Sequence, residues 1–146
     1  MQFTKEELAA LLSGEKPLQL AGLNLSKASL SGADLSKANL SGTNLNRAFL
    51  DNAKLRYADL SKVNLEDADL SGANFHNANL TEADLTGANL HGADLSGTNL
   101  SGANLGYANL TEAILSGANL KDAKQNTHTQ WPQGFDPLAA GAIFIE

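Results

Sequence analysis

The chain contains no cysteine, so neither a disulfide framework nor a thiolate metal site can form. It also lacks a long apolar segment, because no window approaches the roughly 18 apolar residues that a membrane-spanning helix needs. The first residues, MQFTKEELAALLSGEK, place acidic side chains where a secretory signal requires an unbroken apolar stretch. These absences predict a soluble, cytoplasmic protein.

Positive charge is scarce as well. The chain has 10 Lys and Arg against 16 Asp and Glu, which gives a formal net charge of −6. This balance argues against general affinity for nucleic acid or for an anionic membrane, since both attract basic proteins. We therefore expect no direct nucleic-acid binding and no membrane association. The expected partner is another protein, whose identity the sequence does not indicate.

What the chain has in abundance is a five-residue repeat. From Leu20 to Leu120 every fifth residue is leucine, except for Phe75, which gives 21 consecutive units. Two residues before this central position stands Ala in 16 of the 21 units. Asn or Asp usually precedes the centre, Ser or Thr usually follows it, and Gly is common at the next position. Such repetition determines the architecture of the whole chain.

A period of five fits neither a helix, whose period is 3.6 residues, nor a long alternating strand. Ala and the centre are two residues apart, which places both on the same side of a short extended segment. Ser, Thr and Gly then allow the chain to bend once per unit. The pattern therefore predicts a narrow coil with Ala and Leu inside, and stacked coils form a β-helix.

The charged residues indicate how many units make one coil, because stacked neighbours should not repel each other. At a separation of three units there are one opposite-sign pair and four like-sign pairs, and at five units there are four like-sign pairs only. At four units there are one like-sign pair, Lys27/Arg47, and three opposite-sign pairs, Asp34/Lys54, Arg47/Asp67 and Lys62/Glu82. This favours four units per coil and about five coils, a rod ~25 Å long, in which stacked Asn side chains tie neighbouring coils together.

Units such as ADLSK, ANLSG, ADLTG and ANLHG resemble those of the pentapeptide-repeat protein family. The resemblance covers about residues 18–124, and it implies an all-β solenoid, a right-handed quadrilateral β-helix with four units per coil. It implies no enzyme activity, since the family shares no catalytic residues. The run TxxWPxGFDPxxAGAI in the tail resembles that of many cyanobacterial members of the family.

The two ends of the rod need caps, because an open β-helix end exposes unpaired backbone. Residues 1–17 form the predicted N-terminal capping segment, with a helix over about 5–13 that begins with a Thr4–Glu7 capping box and buries a leucine stripe. Residues 125–146 form the predicted C-terminal tail, in which Asp136 and Pro137 begin a short turn. Its apolar residues either cover the last coil or form a partner or dimer surface: Trp131, Phe135, Leu138, Ile143 and Phe144. We expect a monomer or a weak end-to-end dimer.

Catalytic and metal-binding patterns are missing. His76 and His91 are three units apart, so a coil of four units does not stack them, and no H-x-x-x-H spacing occurs. The Ser and Thr residues have no base that the pattern places beside them, and no G-x-G-x-x-G or Walker-type loop is present. We predict no catalytic residue, no metal and no cofactor.

One stretch departs from the repeat on its outer surface. In residues 42–62 larger side chains replace small polar ones, namely Arg47, Phe49, Arg56 and Tyr57. Aromatic residues with Arg are typical of interface anchors. The stretch is either drift on a tolerant surface or a partner-binding patch, and the patch leads to our first hypothesis, a protein-interaction or scaffold role with a regulatory function.

The alternative hypothesis comes from segregated charge. Residues 63–120 contain no Lys or Arg but seven acids: Glu66, Asp67, Asp69, Glu82, Asp84, Asp94 and Glu112. Some pentapeptide-repeat proteins, including fluoroquinolone-resistance types, inhibit DNA gyrase by imitating DNA, which makes this acidic stretch a candidate DNA mimic. In coils of four units, however, the acids are scattered over all four sides.

Overall fold

The computed structural model describes residues 3–145 and shows a rod of stacked coils. Parallel bridges of one residue each join positions four units apart, from Gln19 with Asn39 to Asn104 with Lys124. The predicted four units per coil and the β-helix are therefore confirmed. Residues 1–2 of the predicted N-terminal segment and residue 146 of the predicted tail lie outside the described residues.

Each bend is a four-residue turn closed by a hydrogen bond, as from the Ala28 amide to the Leu25 carbonyl at 3.0 Å. The residue two positions after each centre has a φ between 57° and 72°, which is the left-handed region that type II turns require. In twelve of the units this residue is not glycine, as at Lys27 and Tyr57. The coil thus imposes the same corner geometry on every residue type.

The core is built from the two inward positions of each unit. Interior residues such as Leu65 and Ala68 are buried completely or almost completely. Thr43 and Thr98 take the Ala position and are also fully buried. Their hydroxyls donate to the Leu20 and Phe75 carbonyls, each at 2.8 Å, so no polar group is left without a partner at these two positions.

The outward Asn and Asp residues stabilise turns within their own units. Their Oδ1 atom accepts a hydrogen bond from the amide two residues later, as Asn24 does from Ser26 at 3.1 Å. Within residues 3–145, hydrogen bonds along the predicted Asn columns join neighbouring coils at only two places, Asn39 to Gln19 and Asn79 to Asp59. The predicted Asn ladders are therefore largely wrong, because the oxygen of each side chain is already used locally.

Helix α1 spans Lys5–Leu12 and covers the first coil. The predicted capping box is present, since the Glu7 amide donates to Thr4 Oγ1 at 3.0 Å and the Thr4 amide donates to Glu7 Oε2 at 3.2 Å. Leu8 is buried, and Leu11 and Leu12 pack against the edge of the core. The C-cap is Ser13, so the helix ends one residue earlier than expected.

The tail continues the coil beyond the last regular unit. Asn109 pairs with Gln130, whereas an unbroken repeat would pair it with Thr129, so the tail accommodates one additional residue. Thr129 takes an Ala position, and its hydroxyl donates to the Leu105 carbonyl at 2.9 Å. Strand β1, Lys124–Gln125, then pairs in parallel with strand β2, Ile143–Phe144. The chain therefore closes its C-terminal end with a partial further coil.

The tail covers the last coil with fewer apolar side chains than expected. Trp131 and Phe135 stack with ring centroids 5.3 Å apart and pack against the core, and the Trp131 indole donates to Gln125 Oε1 at 2.9 Å. Three other residues that were predicted to cover the last coil do not cover it, because Leu138, Ile143 and Phe144 are exposed. Ile143 pairs with the outward Lys124, and Phe144 lies in the last layer of the rod.

Candidate interaction surfaces

Arg47 and Phe49 lie on one side of the rod. Arg47 occupies a corner with a φ of 58°, and its Nε atom is 3.7 Å from Asp67 Oδ2 on the next coil. Phe49 pairs with Ser29 below and Asp69 above, and half of its side chain is exposed. We call Arg47 and Phe49 the Phe49 surface.

Arg56 and Tyr57 lie on the opposite side. Tyr57 is two units after Arg47, which is half of a coil, and it occupies the diagonally opposite corner. Tyr57 is 51% exposed, and the Arg56 guanidinium carbon is 5.9 Å from its ring centroid. The four residues predicted as one patch therefore form two separate surfaces.

Three further residues belong with Tyr57 and were not predicted. Lys37 lies one coil before Tyr57 and Asn77 one coil after it, and His76 lies one coil after Arg56. The His76 ring meets the Tyr57 ring edge to face, with centroids 6.1 Å apart. We call these five residues the Tyr57 surface: Lys37, Arg56, Tyr57, His76 and Asn77. The period of four units would have been the signal that finds them.

The surroundings of the Tyr57 phenol are electropositive. The Asn77 side chain and the Arg56 guanidinium, which face the phenol oxygen as donors, hold the pKa of Tyr57 below its ordinary value. The positive charges of Arg56 and Lys37 lower this pKa further. The effect follows from these neighbours rather than from burial, since the ring is exposed.

A chain of hydrogen bonds fixes the His76 ring beside Tyr57. The Ser96 hydroxyl donates to Asp94 Oδ1 at 2.5 Å, and His76 Nδ1 is 2.8 Å from Ser96 Oγ. Because the Ser96 proton points to Asp94, His76 Nδ1 is the donor in this pair. Its Nε2 atom lies 3.1 Å from Asn77 Nδ2.

The acidic residues do not gather on one surface. No two of the seven acids are separated by a whole number of coils, so each stands in a different column. Three of them face a basic side chain: Asp67 faces Arg47, Glu82 lies 3.8 Å from Lys62, and Glu112 lies 3.5 Å from His91. Asp69, Asp84 and Asp94 accept hydrogen bonds from the Ser or Thr two residues later.

Two other exposed hydrophobic features were not predicted. The Tyr107 and His128 rings stack with centroids 4.9 Å apart and planes 8° from parallel. Ile114 is 51% exposed in a column whose other members are Asp34, Lys54, Asn74 and Asp94. Tyr107 stands at a corner, as Tyr57 does, so its exposure could have been predicted from its position in the repeat.

Chemical sites of other kinds do not emerge from the described residues. Between residues 3 and 145 no three His, Asp or Glu side chains come close enough together to hold a metal ion. His76 and His91 each contact a hydroxyl one coil above, Ser96 and Thr111 respectively. Over the same range, no helix has the length and apolar character that crossing a membrane requires.

Comparison with solved structures finds other proteins of the same repeat. The pentapeptide repeat protein alr5209 from Nostoc PCC 7120 is 38% identical over 77% of this chain and 84% of that chain, with a TM-score of 0.41. The pentapeptide repeat protein Rfr23 from the cyanobacterium Cyanothece 51142 is 32% identical over 77% of this chain and 90% of that chain, with a TM-score of 0.51. A comparison with curated protein sequences gives no match.

The family model described as pentapeptide repeats matches in eight copies. The matched segments are residues 19–52, 33–72, 50–87, 58–97 and 93–124, which together span most of the chain. The repeat, the coil of four units and the similarity to Rfr23 agree with this match. The chain belongs to the pentapeptide-repeat family.

Proposed function

We propose that the chain is a non-enzymatic scaffold that binds protein partners through the Phe49 and Tyr57 surfaces. One observation carries the proposal: each of two opposite sides of the rod presents an exposed aromatic ring with an Arg nearby in sequence. The other residues of these columns are mostly small or polar. Tyr, Phe and Arg are residues that anchor protein interfaces, and a rigid rod loses little conformational entropy on binding.

The opposite directions of the two surfaces support a scaffold rather than a single-partner binder. A partner on the Phe49 surface and a partner on the Tyr57 surface would not collide, because the width of the rod separates them. A regulatory role through such bridging, a cytoplasmic location and weak self-association through the exposed C-terminal end are further parts of this proposal.

Photo-crosslinking tests the proposal. A benzoylphenylalanine at position 49 or at position 57 would be activated in a lysate of the source organism, and the captured proteins would be identified by mass spectrometry. We expect each position to capture a distinct protein. Capture at position 49 should persist in the Tyr57→Gly variant, and capture at position 57 should persist in the Phe49→Ser variant.

Matched variants complete the experiment. Phe49→Ser introduces the residue found below it at Ser29, and Tyr57→Gly introduces the residue found higher in its corner column at Gly97, so both should fold. Ile114→Ser removes an equally exposed apolar side chain elsewhere and is the control. Purified partners that bind the double variant Phe49→Ser/Tyr57→Gly as tightly as the wild type would disprove the proposal.

The geometry does not favour the alternative of DNA mimicry. Duplex DNA presents two continuous tracks of charge along its axis. Here the seven acids stand in seven columns, and three of them face basic side chains.

A further inference from the structure

The Tyr57 surface differs from the Phe49 surface because its positively charged side chains form no ion pair with any described residue. Within residues 3–145 two ion pairs join a Lys or Arg side chain to a carboxylate, Arg47–Asp67 and Lys62–Glu82, and Arg47 of the Phe49 surface belongs to the first. Neither Lys37 nor Arg56 belongs to either of them. Both are exposed, and Arg56 lies against the Tyr57 ring.

The nearby acids are engaged elsewhere. Asp34 accepts from the Ser36 amide at 3.1 Å, and Asp94 accepts from both the amide and the hydroxyl of Ser96. Each carboxylate is therefore held by its own turn, although the charge of Arg56 still reaches Asp94 and is among the causes that lower its pKa. Among the described residues, neither Lys37 nor Arg56 forms a side-chain ion pair with a carboxylate.

The surface is also organised before any partner arrives. The His76 ring is fixed between Ser96 and Asn77, and it supports one edge of the Tyr57 ring. Lys37 and Tyr57 are stacked in neighbouring coils, ~4.8 Å apart along the rod. Two cations and one aromatic ring are thus presented at a fixed spacing, which reduces the entropy lost on binding.

We propose that the Tyr57 surface binds an acidic segment of a protein partner, with carboxylates on Lys37 and Arg56 and an apolar side chain on the Tyr57 ring. This inference rests on the proposed scaffold function. A short acidic segment fits better than nucleic acid, because a long polyanion would meet the net charge of −6 that the whole chain carries.

Fluorescence anisotropy with a labelled peptide tests this inference. The probe is a fluorescein-labelled EEDEFEED peptide, and the comparison probes are the same peptide with Gln and Asn in place of Glu and Asp and a single-stranded oligothymidine. We expect the acidic peptide to bind the intact protein, the neutral peptide to bind at least about fivefold more weakly, and binding to weaken as salt is added.

Three variants locate the binding. Arg56→Ser introduces the residue found in its column at Ser36 and Ser96, and Lys37→Gly introduces the one found in its corner column at Gly97. Each should weaken binding about threefold to fivefold, as expected for the loss of an exposed ion pair. The control is Lys27→Gly, which removes the same charge from the same repeat position at the opposite corner, and it should leave binding unchanged.

Each contrary result has a definite meaning. Absence of binding by the intact protein, or equal weakening in Lys27→Gly, overturns the inference, and preferential binding of oligothymidine overturns it in favour of nucleic acid. A different result is a crosslinked partner whose binding depends on Tyr57 but is not reduced by Lys37→Gly or Arg56→Ser. That result leaves the scaffold function intact and overturns only the proposal that the partner binds through an acidic segment. Partners that bind the double variant Phe49→Ser/Tyr57→Gly undiminished would instead disprove the scaffold function.

Discussion

At the scale of single residues, every corner of the coil requires a left-handed backbone conformation. Nine corner residues of the repeat are Gly and twelve are not, although all have nearly the same φ. The environment at each corner depends on the coil below. A Cβ added at Gly32 would meet no atom within 4 Å, whereas a Cβ at Gly72 would collide with Oδ1 of Asn52.

This difference predicts unequal costs for two glycine substitutions. Gly32→Ala should lower the free energy of unfolding by about 1 kcal/mol, because Ala is strained at a positive φ. Gly72→Ala should cost about 0.5 kcal/mol more, because the exposed Asn52 side chain must move to another rotamer to make room for the added Cβ. Denaturant unfolding measures both, and Asn52→Gly in the Gly72→Ala background should remove the additional cost. Equal costs for the two glycines would contradict the contact.

A second prediction at this scale concerns acid sensitivity at Asp94. Burial would raise the pKa of this carboxyl, but hydrogen bonds from Ser96 and the charges of His76 and Arg56 outweigh it and lower the pKa below the ordinary value of 3.8. The folded state thus binds fewer protons than the unfolded state, so the stabilisation is complete above the ordinary pKa and disappears as pH falls through the lowered one.

The Asp94→Asn variant isolates that effect. Asn109 shows that Asn supports the same turn, because its Oδ1 accepts from the Thr111 amide at 3.0 Å. Thermal unfolding followed by circular dichroism should show that the wild type loses more stability than the variant between about pH 4 and pH 2. Glu66→Gln controls for the loss of one negative charge. A wild type and a variant with identical acid profiles would refute the role of Asp94.

At the scale of elements, helix α1 is attached to the rod by a small number of contacts. Leu8 is its one buried residue, and its N-terminus depends on the reciprocal bonds between Thr4 and Glu7. The coils, in contrast, are joined by backbone hydrogen bonds at every unit. A short helix with so little buried surface is expected to open independently of the coils.

Thr4→Ala should therefore act locally. Loss of the N-cap costs helices about 1 kcal/mol, so amide hydrogen exchange should accelerate across residues 5–12 and stay unchanged in the interior coils. Ser13→Ala, at the other end of α1, is the control and should have a smaller effect. If exchange also accelerated through the first two coils, the helix would be a cooperative part of the rod instead.

At the scale of the whole molecule, the distribution of charge predicts no inhibition of DNA gyrase. Purified protein in micromolar excess should leave gyrase supercoiling unchanged at low and moderate salt, because no continuous acidic track exists on the described surface. Polyglutamate of similar charge is the control for unspecific inhibition. Inhibition by the protein that fades with salt would restore the DNA-mimic hypothesis.

The rod itself was predictable from the sequence, since the leucine period fixes the inward residues and the charged pairs four units apart fix the coil. Two of those pairs, Arg47/Asp67 and Lys62/Glu82, form ion pairs in the structure. The same period implies that the predicted patch divides into two surfaces, because Arg47 and Tyr57 lie half a coil apart. Their closeness in sequence nevertheless suggested a single patch.

The tail could not be predicted in the same way. After Gln125 the repeat is lost, and the one additional residue before Gln130 leaves no signal in the local sequence. Which apolar side chains are covered there depends on the register with the preceding coil. The exposure of Ile143 and Phe144 follows from their pairing with Lys124 and Gln125 in the last layer, which only the structure reveals.

The coil of four units also gives the rod a simple rule for evolution and engineering. Insertion or deletion of four units changes the length by one layer and leaves every later side chain facing its former direction. Insertion of a single unit turns everything that follows by a quarter of a revolution. Duplication of one unit between Phe49 and Tyr57 would thus re-aim one binding surface relative to the other, so the number of repeats sets an angle as well as a distance.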